Sequence, residues 1–369
     1  MQIKPFKPLY PDLEKISDLE VQILALKEDF GQVSRSGLFK KLKQDSFIIH
    51  TISSPEINCT GLICLTHIDE YIEGHILKHE NTLEEKEQQQ LTMFSTREAI
   101  IKPALLTYPN NERFDDYIET LKLEKVKILE TYFKDRQQTH TMWAISNKDE
   151  IENINKFFKR ELLHAYIADG HHRFSTYAKY SKSLDTAISP WILTIYIPFS
   201  GLKIFEFNRL FISDKKIKIA QLINQLDPYC FYEKLDHFSL PKFKFNFIIF
   251  DKKHIYACVW KPSFLEKYVE SEALLDVSLL NEIIFDHILE VNDVRTEDQI
   301  KYVEGYRGWE AMLKYLDKYE HVIGFYLYPV SKTDFQYVSD NHKILPPKST
   351  WFEPRVRNGL IIHEFKDDK

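Results

Sequence analysis

The sequence predicts an α+β protein, because strand-like and helix-like segments both occur but do not alternate regularly. Strand candidates in the first half share a short apolar composition and lie at residues 47–52, 61–65, 104–108, 139–146 and 165–168. Helical spacing of apolar residues occurs at 19–27 and 151–158. A doubly wound sheet needs a repeating strand–helix–strand order, and that order is missing here.

The second half is richer in strands and is predicted to be a mixed α/β region. Its strand candidates lie at residues 191–199, 202–207, 243–250, 254–260 and 321–328. Its helix candidates lie at residues 216–226, 279–289 and 309–316. We therefore expect two domains, 1–185 and 186–369, with a C-terminal loop of the second domain packing back on a site in the first.

Length and composition exclude several classes of protein. The chain has 369 residues, of which 44% are hydrophobic, so it can bury a large core and is not disordered. The formal net charge of −6 argues against a dedicated nucleic-acid binder. No apolar run approaches the length of a membrane span. Four cysteines without a CxxC pair are typical of reduced thiols in a cytoplasmic protein.

The most informative stretch is AYIADGHHRFSTYAKY, at residues 165–180. A buried strand is followed by Asp169, Gly170, His171, His172 and Arg173, and then by an amphipathic helix. A glycine turn at a helix start directs backbone N–H groups and the helix dipole towards an anion. The arginine side chain adds a planar fork suited to phosphate or carboxylate. We therefore predict an anion site here; the alternative is an ordinary turn with surface histidines.

A second polar segment, residues 68–100, is predicted to be helical on both sides of positions 81–82. Thr82, with Glu85 three residues later, fits a helix cap and capping box. His79 and Glu80 would then lie at a helix start, where they suit proton transfer or phosphate binding. The pair His75 and His79 has the spacing of zinc ligands on one helix face, but no third ligand is evident, so a polar face is favoured.

The C-terminal segment ILPPKSTWFEPRVRNG concentrates hydrogen-bond donors in a loop interrupted by prolines. The donors are Lys348, Ser349, Thr350, Arg355 and Arg357. Such a loop can clamp an anionic substrate, and a solvated extension explains the composition equally well. The sequence contains no GxxxxGK[ST], GxGxxG or GxSxG motif. A P-loop kinase, a nicotinamide enzyme and an α/β-hydrolase are therefore not expected.

Several motifs together resemble a bacterial family known only as a domain of unknown function, often found beside serine-biosynthesis enzymes. They include KHENT at 78–82, LLTYPNN at 105–111, YIADGHHR at 166–173, FNR at 207–209 and LPPKSTWFEPRVRNGLIIHEF at 345–365. The family in turn resembles a distant branch of the ParB and free serine kinase superfamily. This resemblance implies a ParB/SerK-like fold for the first half, with the DGHHR motif ending a strand and starting a helix at a phosphate site.

The resemblance also implies phosphoryl chemistry on L-serine or O-phosphoserine, either as a kinase using a nucleotide or pyrophosphate or as a phosphatase. The implied catalytic residues are His79, Glu80, Asp169, His171 and His172. The implied phosphate-binding or substrate-binding residues are Thr82, Gly170, Arg173, Lys348, Ser349, Thr350 and Arg355. Mg²⁺ is the expected ion, with Asp169 as its ligand.

The expected partner is a small molecule, with neither nucleic acid nor membrane involved. The alternative is a non-catalytic protein that binds a nucleotide or a phosphorylated metabolite and regulates a partner, because one anion-binding turn would serve both functions. Reaction direction, phosphate donor, the identity of the catalytic histidine and oligomeric state stay open from the sequence.

Overall fold

A computed structural model of the protein describes residues 1–181, 189–213, 217–268, 274–291, 293–294 and 298–368. The chain forms two units: Met1–Lys203 together with Pro354–Lys369, and Ile204–Glu353. The domain boundary expected after residue 185 lies outside the described residues. The second unit is thus inserted between two segments of the first, since the chain leaves the first unit and later returns to it.

The first unit is built on strands and helices that we number in chain order. Its strands are β1 (Ile3–Lys4), β2 (Leu9–Pro11), β3 (Phe39–Lys41), β4 (Phe47–Ser53), β5 (Asn58–His67), β6 (Ile76–Leu77), β7 (Ala99–Ile100), β8 (Ala104–Tyr108), β9 (Lys127–Phe133), β10 (Gln138–Ile145), β11 (Ala165–Asp169), β12 (Trp191–Pro198) and β21 (His363–Glu364). Its helices are α1 (Leu19–Glu28), α2 (Phe30–Ser34), α3 (Asp69–Ile72), α4 (Glu84–Arg97), α5 (Glu112–Glu124), α6 (Lys148–Arg160) and α7 (His171–Tyr180).

Within the described residues, the main sheet of this unit has the strand order β6-β11-β8-β12-β5-β4-β10-β9, with β1 paired to β5. The pairs β11–β6 and β12–β8 are parallel, and the other pairs of this sheet are antiparallel. The sheet is therefore mixed, and the unit combines strands and helices as predicted. Strands β4, β8, β10, β11 and β12 confirm the corresponding sequence predictions, and their runs of apolar residues form the core.

The prediction for residues 68–100 is wrong in its central part. Helix α3 ends at Ile72, β6 follows, and the chain has no regular secondary structure between β6 and the start of α4 at Glu84. Apolar Ile76 and Leu77 pair with β11 and are buried, so sheet burial overrides the helical pattern around them. Leu83, not Thr82, is the N-cap residue of α4, and its side chain makes no capping hydrogen bond. The capping box is therefore absent from this helix.

The second unit contains β13 (Lys203–Phe205), which begins at the boundary, and the elements that follow it. Its other strands are β14 (Phe207–Ile212), β15 (Cys230–Leu235), β16 (Asn246–Phe250), β17 (Ile255–Trp260), β18 (Ile300–Glu304), β19 (Val322–Tyr326) and β20 (Trp351–Glu353). Its helices are α8 (Ile219–Leu226), α9 (Pro262–Leu265), α10 (Asp276–Leu279), a π-helix (Leu280–Ile288), α11 (Gly308–Lys318) and α12 (Lys332–Asp340). The described strands form an antiparallel sheet in the order β15-β17-β16-β19-β14-β18.

The four cysteines are buried free thiols, as predicted from their spacing. Burial raises the pKa of Cys59 and of Cys64 to about 12, so both stay protonated at neutral pH. Every helix in the described part of the chain is too short or too polar to cross a lipid bilayer.

The packing of β19 against β16 leads to a test of the second unit. Gly324 faces Phe250 across this strand pair, and a Cβ on Gly324 would lie 2.1 Å from the Phe250 ring. We expect Gly324→Ala to lower the free energy of unfolding by about 1–3 kcal/mol through overpacking. Urea denaturation measures this change. A second substitution, Phe250→Leu, makes room for the added methyl group. The double variant should therefore lose less stability than the two single variants together, and an additive loss would contradict the proposed clash.

Candidate active site

The turn after β11 has the strand–turn–helix geometry predicted from the sequence. Strand β11 lies between β6 and β8, and Gly170 separates it from α7. The φ angle of Gly170 is +122°, a value that residues with a side chain rarely adopt. A Cβ at this position would also lie 2.9 Å from Nη2 of Arg173 and 3.1 Å from Cβ of Ala104. Glycine is therefore required both for the bend and for the packing of Arg173 against it.

Asp169, the last residue of β11, is surrounded by cations. Lys102 Nζ lies 2.7 Å and Arg173 Nη2 lies 3.1 Å from Oδ2 of Asp169. Arg355, from the segment that returns to the first unit, places Nη1 3.8 Å from Oδ1. Three positive charges thus approach one carboxylate. The four side chains are 12–29% exposed, so solvent screens these charges only in part.

The pKa values of this group follow from burial and from the neighbouring charges. Burial alone would raise the pKa of Asp169, but the charges of Lys102, Arg173 and Arg355 outweigh it and hold that pKa well below its usual range. Burial lowers the pKa of Lys102, and the nearby arginines lower it further, although Asp169 opposes both effects. The charged form of Asp169 is therefore favoured, and its carboxylate contacts all three cations. A catalytic role for Asp169 stays a prediction.

Arg173 is largely committed to contacts within the protein. Its Nη1 donates hydrogen bonds to the carbonyl oxygens of Lys102 and Pro103, at 2.9 Å and 2.7 Å. Its Nη2 donates to Asp169. These bonds fix the segment that carries Lys102 next to the turn. A metal ion on Asp169 would have to displace Lys102 or Arg173, so the geometry favours other metal ligands, and metal binding by Asp169 stays a prediction.

His79 and His171 lie edge to face beside Glu80. Their ring centroids are 4.4 Å apart, with the ring planes at 90°. Nδ1 of His171 lies 3.9 Å from Oε2 of Glu80. Both imidazoles are buried, whereas the Glu80 side chain is 43% exposed. The His79–Glu80 pair thus meets the first residue of α7, although it lies in an extended segment and not at a helix start.

Burial lowers the pKa of both imidazoles. Burial lowers the pKa of His79 well below its usual range, and the neighbouring His171 lowers it further. Burial also lowers the pKa of His171 to about 3, although the charge of Asp169 opposes this shift. Asp169 ends β11 and His171 starts α7, so the cation group and the imidazole pair flank the same turn at Gly170.

Glu87, on helix α4, links the segment that contains His79 and Glu80 to α7. Its carboxylate accepts hydrogen bonds from the hydroxyls of Thr82 and Ser175 and pairs with Lys179. Thr176 also donates a hydrogen bond to the Glu87 carbonyl oxygen. Thr82, predicted to bind phosphate, uses its hydroxyl in this network. The structure thus gives Thr82 a positioning contact, and a contact with phosphate stays a prediction.

Lys102 and Arg355 also line a cavity of about 300 Å³ in the first unit. This volume is at the lower end of the range for small-molecule sites. The other charged residues that line the cavity are Glu20, Lys27, Asp135, Arg136 and Arg357. Five cations therefore face two carboxylates. Arg357, which pairs with Asp135, also lies 4.5 Å from the centre of the Phe133 ring. The cavity has the charge of a site for an anionic ligand.

The remaining predicted residues divide between the two units. His172 lies in the first turn of α7 and is partly exposed. Lys348, Ser349 and Thr350 belong to the second unit. There the Lys348 carbonyl oxygen accepts a hydrogen bond from Arg209, and the Ser349 hydroxyl donates to the Pro346 carbonyl oxygen. Their role at a substrate site stays a prediction.

Sequence reasoning missed three residues of this site, namely Lys102, Glu87 and Arg136. Lys102 interrupts the apolar run AIIKPALL at residues 99–106, and a cation inside such a run was an available signal. Glu87 lies in the segment EEKEQQQ, where nothing distinguishes it from exposed neighbours. The partners of Glu87 are about ninety positions away in the chain, on α7. Arg136 lies in a turn without any recognisable motif.

Comparisons with known proteins identify a family but give no curated relative. A family model described as "Protein of unknown function (DUF1015)" matches residues 9–278. The match ends before the PPKST segment. No curated protein matches the sequence.

Solved structures resemble the chain at low sequence identity. SbnI with a C-terminal truncation, from Staphylococcus aureus, is 10% identical, with a TM-score of 0.43 over 80% of this chain and 85% of that chain. A free serine kinase variant in complex with ADP is 11% identical, with a TM-score of 0.41 over 81% and 92%. A conserved hypothetical protein from Pyrococcus furiosus is 12% identical, with a TM-score of 0.39 over 83% and 96%.

The Glu87 network leads to a stability prediction with a defined pH dependence. Burial alone would raise the pKa of Glu87, but hydrogen bonds from Lys179, Ser175 and Thr82 lower it to about 2. A lowered carboxyl pKa stabilises the folded state above the usual value of 4.5, and this stabilisation is lost as the pH falls towards 2. We expect Glu87→Gln to lower the free energy of unfolding at pH 7 by about 1–3 kcal/mol.

Urea denaturation at pH 7 and at pH 4 measures this effect, and the difference from wild type should be smaller at pH 4. Glu85→Gln is the matched control, because Glu85 is an exposed residue of the same helix. Its effect should stay within about 0.5 kcal/mol. A Glu87→Gln protein as stable as the control at pH 7 would show that the network does not join α4 to α7.

Proposed function

The chain belongs to the DUF1015 family of proteins of unknown function, and we propose that it is an enzyme of phosphoryl transfer. Its proposed substrate is L-serine or O-phosphoserine, and its proposed site is the turn after β11. The observation that supports this proposal best is the cluster of three cations around Asp169, with a half-exposed carboxylate and two buried imidazoles on the other side of the same turn. A site for phosphoryl transfer works mainly by positioning and by neutralising charge.

Lys102 and Arg355 are the proposed ligands of the phosphoryl group. Both line the cavity of about 300 Å³, and both are held near the turn by Asp169. Arg173 supports them through its bonds to the backbone of Lys102 and Pro103. Gly170 contributes the helix start, where backbone N–H groups and the helix dipole favour an anion.

Glu80 is the proposed acceptor of the substrate proton. In the kinase direction the serine O–H bond breaks, its proton passes to Glu80, and the hydroxyl oxygen bonds to phosphorus as the donor's phosphate bond breaks. In the phosphatase direction Glu80 orients and deprotonates water instead. His171 and His172 are the candidates that stabilise charge or protonate the leaving oxygen. The lowered pKa of His171 suits a hydrogen-bonding role better than a cationic one.

The serine part of the proposal comes from the motif resemblance to the ParB and free serine kinase superfamily. The same resemblance supports a nucleotide or pyrophosphate as phosphate donor and Mg²⁺ as its companion ion. The charge of the cavity suits any of these donors, since each presents several phosphate oxygens. Assays with L-serine and with O-phosphoserine decide whether the protein acts as a kinase or as a phosphatase.

Incubation of the purified protein with defined substrates tests the function. One set of reactions contains L-serine and Mg²⁺ with ATP, ADP or pyrophosphate, and another contains O-phosphoserine alone. Phosphorus NMR detects formation of O-phosphoserine in the first set and release of phosphate in the second. We expect turnover in one of the two sets. Ligand-induced melting shifts without turnover in any reaction would instead support the regulatory binding protein.

Two substitutions test the proposed roles. Glu80→Gln should lower kcat/KM by about 10²–10⁴-fold through loss of the proton acceptor. Lys102→Met should lower it by about 10²–10³-fold through loss of charge at the phosphoryl group. Glu73→Gln, an exposed substitution in the segment that precedes β6, is the matched control and should leave kcat/KM unchanged. Wild-type turnover in both test variants would contradict this assignment of roles.

A further inference from the structure

We infer that His79, Glu80 and His171 form a binding site for a divalent transition-metal ion, for which Zn²⁺ is the best match. One ligand atom from each residue lies within 4.8 Å of the others. In the described part of the chain, this is the one group of histidine, cysteine and acidic residues with such a spacing. The site differs from the one predicted at Asp169, where the cations would repel a metal ion.

The ligand atoms need only small movements to surround an ion. Four-coordinate zinc lies about 2.0–2.2 Å from each nitrogen or oxygen donor, which places the donors about 3.3 Å apart. Nδ1 of His171 and Oε2 of Glu80 are already 3.9 Å apart. The Glu80 side chain is 43% exposed, so it can rotate towards the buried imidazoles. Closure on an ion therefore requires the ligand atoms to move from at most 4.8 Å to about 3.3 Å apart.

The burial of His171 is a second, independent observation. Its side chain is only 8% exposed, and its Nε2 is buried without a hydrogen-bond partner. A buried polar atom in this state costs about 1–3 kcal/mol in stability. A structural histidine in a core normally satisfies both ring nitrogens, whereas a ligand histidine keeps one nitrogen for the metal. Coordination through Nε2 would satisfy this atom, whereas coordination through Nδ1, the nitrogen measured against Glu80, would leave it unpaired.

The surrounding contacts hold the ligands in place. His79 forms a hydrogen bond with the backbone of Ile167, in β11. Glu87 joins Thr82, two residues after Glu80, to Ser175 on α7, the helix that His171 starts. Such outer contacts orient the ligands of metal sites and raise their affinity. The spacing of the three residues is thus maintained by strand pairing and by a buried carboxylate.

The chemistry of the ligands selects the metal. Neutral imidazoles are ligands for zinc and for iron, cobalt, nickel and copper ions, whereas Mg²⁺ prefers oxygen donors and water. Three protein ligands leave a fourth position for water or a substrate oxygen, as in catalytic zinc sites. Binding of the ion requires no turnover, but an ion on Glu80 would weaken this carboxylate as the proposed proton acceptor, so in the metal-bound protein the ion would take over activation of the substrate hydroxyl. A role of the ion in activating the substrate hydroxyl rests on that function.

Direct measurement of metal binding tests this inference. The protein is stripped with a chelator, dialysed and titrated with ZnCl₂ in competition with a chromophoric chelator. Co²⁺ serves as a second probe, because its visible absorption reports the coordination geometry. We expect one Zn²⁺ per chain and absorption bands typical of tetrahedral Co²⁺. Loss of a residue that only orients a ligand weakens metal binding by about 10–100-fold. Glu80→Gln removes a direct ligand and should weaken binding by at least that much, and His171→Ala should weaken it more.

His75→Ala is the matched control. His75 lies four positions before His79 but contacts Glu70, with Nδ1 2.8 Å from Oε2, and it is not part of the ligand group. This variant should bind Zn²⁺ like the wild type. Equal affinity in the Glu80→Gln, His171→Ala and wild-type proteins would overturn the inference, as would the absence of Zn²⁺ binding by the wild type. Because Glu80 is half-exposed, Glu80→Gln should fold even if His171→Ala does not.

The two proposals can fail separately. Stoichiometric Zn²⁺ binding without turnover of serine or O-phosphoserine would retain the metal site and reject the proposed function. Turnover by a protein that binds no Zn²⁺ would retain the function and reject the metal site.

Discussion

The clustering of three cations around Asp169 is the interaction on which the site depends. Lys102, Arg173 and Arg355 all approach the carboxylate of Asp169. Like charges that are close together and partly buried repel one another, and an added anion would reduce that repulsion. This is why we connect the site with a phosphorylated ligand.

Three features of the fold bring Asp169 and its three cations together. Asp169 is the last residue of β11 and lies at the turn. Gly170 allows the backbone to bend there and leaves room for the Arg173 guanidinium. Arg173 then fixes the backbone that carries Lys102. Arg355 arrives from the C-terminal segment, after the chain has completed the inserted second unit. Residues that are far apart in the sequence thus meet because the chain returns to the first unit.

The sequence indicated the centre of the site but not its surroundings. The DGHHR turn was predictable because a buried strand, a glycine and a helix each leave a local pattern. Position 79 was predicted at a helix start and instead follows β6, because pairing with β11 outweighs local helical preference. Lys102 left a local signal, a cation inside an apolar run, but Glu87 could not be assigned, since its partners on α7 lie about ninety positions away. Long-range pairing leaves no local pattern in a single sequence.

A crystal structure of the protein with O-phosphoserine tests the central claim most directly. If the cation group holds the phosphoryl group, phosphate density will lie within hydrogen-bond distance of Lys102 Nζ and the Arg355 guanidinium, on the side of the cavity. The serine moiety will then extend towards Glu80. Phosphoserine bound elsewhere in the molecule, with Lys102 and Arg355 still in contact only with Asp169, would contradict it.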